Sequence, residues 1–373
     1  MEGKNSQNTN KNSDHLKYWV AYSKIPQIGP IHFKRLADYF IDMETAWKAR
    51  PNELMKAGIE RDLASKIITS RDEVSPDEEL EKMKNKGVEA VPITSNNYPK
   101  RLKEIYNPPP LLYFRGSLDF LKNNCIAVVG TRKFSPYGKQ AVEELTSELA
   151  RSGITIISGL ALGIDSLAHK ATLSSKGKTI AVLGSAVNKE CVYPSTNRHI
   201  ANEILESGGA ILSEYPVGTM PTKYTFPMRN RIVSGLSLGI LVIEAPESSG
   251  TLITAKYALD QNRDIFSVPG GIYNNNSSGT NNLIKQGAKI VTCANDILEE
   301  LNIQMVFKEI EKKITASNNE EGIILDILSK EPTHIDKIKV SSKLNINALS
   351  STLTIMEIKG MVKDMGGKNY IIK

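Results

Sequence analysis

Cysteine is scarce in this chain. Cys125, Cys191 and Cys293 are spread through 373 positions with no C-x-x-C pair. An odd, dispersed set excludes a disulfide framework and a cysteine zinc site, and it fits a reducing compartment. Long apolar runs are absent too: none reaches the roughly 20 residues of a membrane span. Residues 1–14 are rich in Asn, Lys and Ser. They lack the apolar segment of a signal peptide and read as a disordered tail. The expectation is a soluble, cytoplasmic protein that makes no membrane contact. Neither sign of charge dominates, since 47 Lys and Arg against 41 Asp and Glu leave a net charge of +6. That permits a polyanionic partner without requiring one.

A dinucleotide fingerprint is missing as well. The first strand–helix turn reads Gly130-Thr131-Arg132, and the next glycine, Gly138, comes too late for G-x-G-x-x-G. The following strand ends in Ser158-Gly159 instead of an acidic ribose anchor, so NAD and FAD are disfavoured. No cofactor and no metal site is expected.

What is present is a repeated pattern of apolar strand, Gly/Ser turn and helix. Apolar runs at 125–129, 154–157, 179–184, 210–213, 239–243 and 264–269 alternate with helical patterns. Such alternation predicts a doubly wound α/β sheet of extended Rossmann type over residues 92–300, with both faces covered. Three of its turns are phosphate-type: Gly130-Thr131-Arg132, the one beginning Ser158-Gly159, and Ser249-Gly250-Thr251. Strand ends of this kind aim backbone N–H groups and helix N-termini at an anion. Ahead of the sheet, residues 15–75 form a helical module resembling a helix-hairpin-helix, with Gln27 where the first hairpin glycine is usual. It serves either as a structural or interaction module or in direct DNA contact. Residues 76–91 and 301–318 read as linkers. Residues 319–373 read as a winged helix: three helical patterns, then a hairpin around Gly366-Gly367, with Asn347 as cap of the third helix. The candidate recognition helix carries Asn345, Asn347, Ser350, Ser351 and Thr354 but no Arg, so protein contact competes with duplex reading.

The stretch 223–231 is the most informative single segment. Lys223, Arg229 and Arg231 interleave with Tyr224 and Phe226, next to Asn230. Cations that pair with phosphates beside rings that stack on bases make a single-strand binding surface; a basic loop with core aromatics is the alternative. Arg132 at its strand end can pair with a phosphate in two-pronged fashion. Asp165 and His169, four apart at a helix start, have the chemistry of an acid–base pair. The preferred reading makes Asp165 a cap and His169 a core residue. In nucleotide phosphoribohydrolases of similar sheet, P-G-G-x-G-T-x-x-E supplies a catalytic Glu. That slot is Thr254 here, and a hydroxyl cannot replace the carboxylate.

These motifs, in this order, resemble the DprA/Smf family of bacterial DNA-processing proteins. The matching text includes 128–132, 158–165 through His169, Tyr193-Pro194, 213–216, 226–236, 249–255 and 279–284. The resemblance implies a non-catalytic protein that binds single-stranded DNA and forms a homodimer through the Rossmann-like domain. It further implies protection of incoming strands and loading of the RecA recombinase during natural transformation. The family's DNA pocket carries over to Arg132, Ser158, Gly159, Lys223, Phe226, Arg229 and Asn230. The turn residues Gly130, Thr131, Ser249, Gly250 and Thr251 complete it as phosphate cradles. Where family members often place a Lys after Tyr-Pro, this chain has Ser195, with Arg198 nearby. A phosphoribohydrolase-like enzyme and a nucleotide sensor are the alternatives.

Overall fold

The computed structural model describes residues 5–303 (backbone only for 5–14), 318–328, 333–364 and 367–372. It divides into two compact units, Met1–Val306 and Phe307–Lys373.

The first unit opens with six helices: α1 Asn5–Lys24, α2 Pro30–Tyr39, α3 Met43–Lys48, α4 Pro51–Lys56, α5 Arg61–Glu73 and α6 Pro76–Asn85. The sheet region follows as β1 Glu89–Pro92, α7 Lys100–Lys103, β2 Leu111–Gly116, β3 Cys125–Val129, α8 Pro136–Arg151, β4 Thr155–Ser158, α9 Ile164–Ser174 and β5 Thr179–Val182. It continues with α10 Arg198–Glu206, β6 Ala210–Ser213, α11 Thr225–Gly235, β7 Gly239–Val242, α12 Thr251–Asp260, β8 Asp264–Ser267, α13 Asn275–Lys285, β9 Lys289–Ile290 and α14 Ala294–Glu300.

Nine strands form one sheet in the order β1-β2-β6-β5-β4-β3-β7-β8-β9. Only the β1–β2 and β2–β6 pairings are antiparallel. The chain winds outward from β3 through β4, β5 and β6, then returns to pair β7 on the other side of β3. That reversal opens a crevice at the carboxyl ends of β3, β4 and β7, where α/β sheets place ligands. Alternate residues of each strand serve opposite faces, as the two-residue period of a strand requires. Ile126 and Val128 join the core beneath α8 and α9, whereas Cys125, Ala127 and Val129 face the core shared with α11 and α12.

One expected linker and the tail take a different form. Residues 76–91 are not a linker: they form α6 and strand β1. Leu80 and Met83, one turn apart on the charged helix, are buried in a core that also holds Trp19, Tyr113 and Ile211. The helical module therefore shares its core with the sheet. The Ser23 and Tyr113 hydroxyls also meet at 2.5 Å. The backbone of residues 5–14, expected as tail, continues α1. Most of the 301–318 linker lies outside the described residues. In the α1–α2 turn Gln27 takes φ 73°, the left-handed conformation usually reserved for glycine. The Gly29 N–H already donates to His32 Nδ1.

The second unit comprises α15 Asn319–Ile327, β10 Thr333–His334, α16 Ile335–Ser342, α17 Ile346–Ile358, β11 Val362–Asp364 and β12 Asn369–Ile372. Ile324, Ile338, Leu349, Leu353 and Met356 form its own core. The cap of α17 is Asn345, whose side chain accepts from the Asn347 N–H; the cap expected at Asn347 falls two residues late. The Gly366 half of the expected hairpin turn lies outside the described residues. Among the described residues, no helix is long and apolar enough to cross a membrane.

Candidate nucleic-acid interface

A cavity of about 910 Å³ occupies the crevice at the strand ends. A larger cleft, about 1410 Å³, lies at the β1 edge beside Trp19, Lys100 and Lys122. The strand-end cavity is the better candidate, because the starts of α9, α11, α12 and α13 and three expected turns converge there.

Its floor is built from the turns. The Thr131 N–H donates to the Glu244 carbonyl at 2.7 Å, and the Ile164 N–H donates to the Thr131 carbonyl at 3.2 Å. The Thr131 hydroxyl accepts from the Lys133 N–H. Thr131 is thus a buried scaffold whose bonds hold the β3–α8 turn against the β4–α9 turn. Gly163, at φ 86°, packs on the Thr131 and Arg132 backbone, where a side chain would collide. The Glu244 carboxylate, itself buried, accepts from the Ser135 N–H and hydroxyl at the start of α8.

Arg132 projects from this frame and is exposed. Its guanidinium lies 5.9 Å from the centroid of the Phe226 ring. Lys223 lies 5.1 Å from the Tyr224 ring. Lys133 lines the same cavity. Among the described residues, Arg132, Lys133 and Lys223 form no ion pair, so three uncommitted cations surround the opening. Phe226 is half-buried at the start of α11, and Tyr193 stands 5.7 Å from it with the ring planes tilted 46°. Ser249, Gly250 and Thr251 line the far wall at the start of α12, with Thr254 buried behind them.

Arg229 is different. It is 5% exposed and donates through Nη1 to the carbonyls of Gly159 and Val182. Its Nε donates to Asn230 Oδ1 at 3.1 Å. Asp165, buried beside it, accepts from the Gly159 N–H at 3.1 Å. Burial pushes the Asp165 carboxyl up and the Arg229 guanidinium down, and each is opposed mainly by the other's charge. Any side chain at position 159 would run into the Arg229 guanidinium, which explains the glycine. The cation read from the sequence as a phosphate ligand therefore serves as an internal strut joining the ends of β4 and β5.

Two further candidates lie outside the cavity lining. Ser158 is fully buried and donates to the Val128 carbonyl at 2.7 Å. Arg198 donates to the Val192 and Glu190 carbonyls and so braces the turn before Tyr193. Gly130, Thr131, Arg132, Gly159, Lys223, Phe226, Arg229, Asn230, Ser249, Gly250 and Thr251 all reach the cavity. Lys133, Asn275 and Asn276 also line it and were not named from the sequence, as does Tyr193, which was named only within the Tyr193-Pro194 motif and not as a site residue. Lys133 follows Arg132 directly, a signal that was available; the other three are brought in by topology.

The enzyme-like letters resolve into structure. His169 is fully buried, its Nδ1 2.7 Å from the Thr179 hydroxyl. Burial, with a smaller push from Arg229, lowers its pKa from 6.5 to about 3, so the ring is neutral. The spacing Gly235-x-Ser237-x-Gly239 has the letters of a nucleophile elbow. It precedes β7, however, and the buried Ser237 hydroxyl donates to the Val233 carbonyl at 2.9 Å. Among the described residues, no group of three or more His, Cys, Asp or Glu side chains could hold a metal ion.

Fold and site together define a doubly wound nucleotide-type sheet whose strand-end crevice is furnished with free cations and aromatic rings. Residues 89–302 match the family model for DNA recombination-mediator protein A, and residues 311–368 match the DprA winged helix domain. The chain belongs to the DNA recombination-mediator protein A family. It is 37% identical over 391 residues to protein Smf of Synechocystis, covering 95% of this chain and 98% of that one. It is 45% identical over 219 residues to the DNA processing protein DprA of Bacillus subtilis, covering 58% and 73%. The X-ray structure of DprA from Streptococcus pneumoniae superposes with a TM-score of 0.67 at 34% identity, over 76% of this chain and 97% of that one. DprA of Helicobacter pylori, whose structure concerns its single-stranded DNA binding mode, gives a TM-score of 0.52 at 32% identity over 58% and 95%.

Proposed function

We propose that this chain binds single-stranded DNA along the strand-end crevice and acts as a recombination mediator without catalytic chemistry of its own. In this reading it shields incoming strands, forms a homodimer through the sheet-bearing unit and loads RecA during natural transformation, in the cytoplasm. The observation that carries the reading is the trio of unpaired cations, Arg132, Lys133 and Lys223, set beside Phe226 and Tyr193 at one opening. Phosphates and unstacked bases are the two surfaces such a groove recognises, and neither requires a particular sequence. The Helicobacter relative's single-strand binding supports the same assignment.

A phosphoribohydrolase is the competing reading of the same crevice. It needs a carboxylate where this chain carries Thr254, and the one acidic side chain among the described residues lining the cavity, Asp165, is buried beside the Arg229 charge and accepts from the Gly159 N–H. Release of free base from a nucleoside monophosphate by the purified protein would reverse the choice.

The direct test is oligo-dT affinity against salt. Three phosphate-pairing cations at ~0.7 counterions each give a log–log slope of about −2. Arg132→Ala is expected to cost about 1.5–3 kcal/mol and to flatten the slope by about 0.7. A salt-independent affinity, or an Arg132→Ala protein binding as tightly as the wild type, excludes the proposed groove.

A further inference from the structure

We propose that Tyr193 is a base-stacking platform of the groove, a role that rests on the single-strand reading above. Phe226, the aromatic the sequence offers first, is the more encumbered ring. It is half-buried, it packs against Gly184 and it lies beneath the Arg132 guanidinium. Tyr193 leaves half of its surface open, 51% exposed, while lining the same cavity. The two rings stand 5.7 Å apart and tilted by 46°, so they do not form a closed stack. Among the described residues the Tyr193 hydroxyl has no hydrogen-bond partner.

The backbone beneath it, by contrast, is pinned from both sides. Arg198 donates to the Val192 and Glu190 carbonyls. Asn188 donates to Glu190 Oε2 at 2.9 Å and to Cys191 Sγ at 3.2 Å. On the other side the Asn197 N–H donates to the Pro194 carbonyl, and its side chain donates to the Leu160 and Ala161 carbonyls of the β4–α9 turn. Cys191, Val192 and Asn197 are buried. An exposed aromatic ring on a fixed backbone loses little freedom when a flat ligand lands on it, which is what a stacking site requires. The neighbouring cations then hold the phosphates on either side of the stacked base.

The test uses full-length protein, fluorescence anisotropy and two probes of equal length: oligo-dT and a chain of abasic sugar phosphates. Tyr193→Ala is expected to weaken oligo-dT binding roughly 5- to 150-fold, as for loss of one base stack, and to leave abasic-chain binding unchanged. Tyr193→Phe is expected to restore the oligo-dT affinity, since the ring and not the hydroxyl is needed. Equal losses on both probes, or no loss on oligo-dT, overturn the assignment. A wild-type protein that binds neither probe overturns instead the single-strand reading on which the assignment stands.

Discussion

At the residue scale the instructive pair is Arg132 and Arg229. Both are arginines in family-like motifs, and both read from the sequence as phosphate ligands. The structure sends one to the groove and the other inside. Helix α11 inverts the usual pattern here. Met228 is 40% exposed, while Arg229 and Arg231 are 5% and 3% exposed. Inversion is possible because acceptors wait inside: the strand-end carbonyls of Gly159 and Val182 for Arg229, and the Glu214 carboxylate for Arg231. Arg229→Ala would leave Asp165 and two carbonyls buried without their cation. A loss of about 3–5 kcal/mol in urea unfolding is expected, the cost of breaking a buried charge arrangement. Arg132→Ala, at an exposed position, should stay within about 0.5 kcal/mol of the wild type. An Arg229→Ala protein of normal stability that has lost oligonucleotide affinity would return Arg229 to the ligands. Residue type was readable from the sequence and burial was not. Nothing local in 223–231 tells which arginine finds carbonyls from strands 47 and 70 positions away.

At the scale of elements the inner strands β3 to β7 were legible because each is buried on both faces and reads as a continuous apolar run. The edge was not. Strands β1 and β2 are antiparallel additions whose partners lie across a proline-rich connection, and α6 hides two buried residues in a charged stretch. The contact between α9 and β5 shows what such packing implies for solution behaviour. His169 of α9 is sealed against Thr179 of β5. Its pKa falls from 6.5 unfolded to about 3 folded, chiefly through burial. Below pH 6.5 the unfolded chain therefore binds a proton that the folded chain refuses. The stabilisation is full above pH 6.5 and is lost as pH falls toward 3, by up to about 1.4 kcal/mol per pH unit. Urea unfolding at pH 7 and pH 5.5 should differ by about 1 kcal/mol, and His169→Asn should remove that difference even if it lowers stability throughout. A wild-type stability that is flat across this interval would mean that His169 takes up its proton in the folded state.

At the scale of the whole molecule the two units have separate cores. One is spread over both faces of the nine-stranded sheet and the helices beside it, and the other is confined to the winged helix. Separate cores predict two unfolding transitions in calorimetry. The proposed groove belongs wholly to the first unit. The outward face of α17 offers Asn347, Ser350, Ser351, Thr354, Ile355 and Ile358, without an arginine or lysine among them, and Lys359 at its end is paired with Glu321. A face of that composition has little to offer a phosphate backbone. Saturating oligo-dT should therefore act on one transition alone. Ligand at 100 times its Kd stabilises the binding unit by about 2.7 kcal/mol, which for a unit of this size raises its midpoint by about 5 °C. The winged-helix transition should stay where it was. If both midpoints climb together, the winged helix touches the strand as well, and its polar and isoleucine face must be counted as part of the nucleic-acid surface. If neither moves while anisotropy still reports binding, the strand binds the unfolded first unit as well as the folded one, and the crevice is not its site.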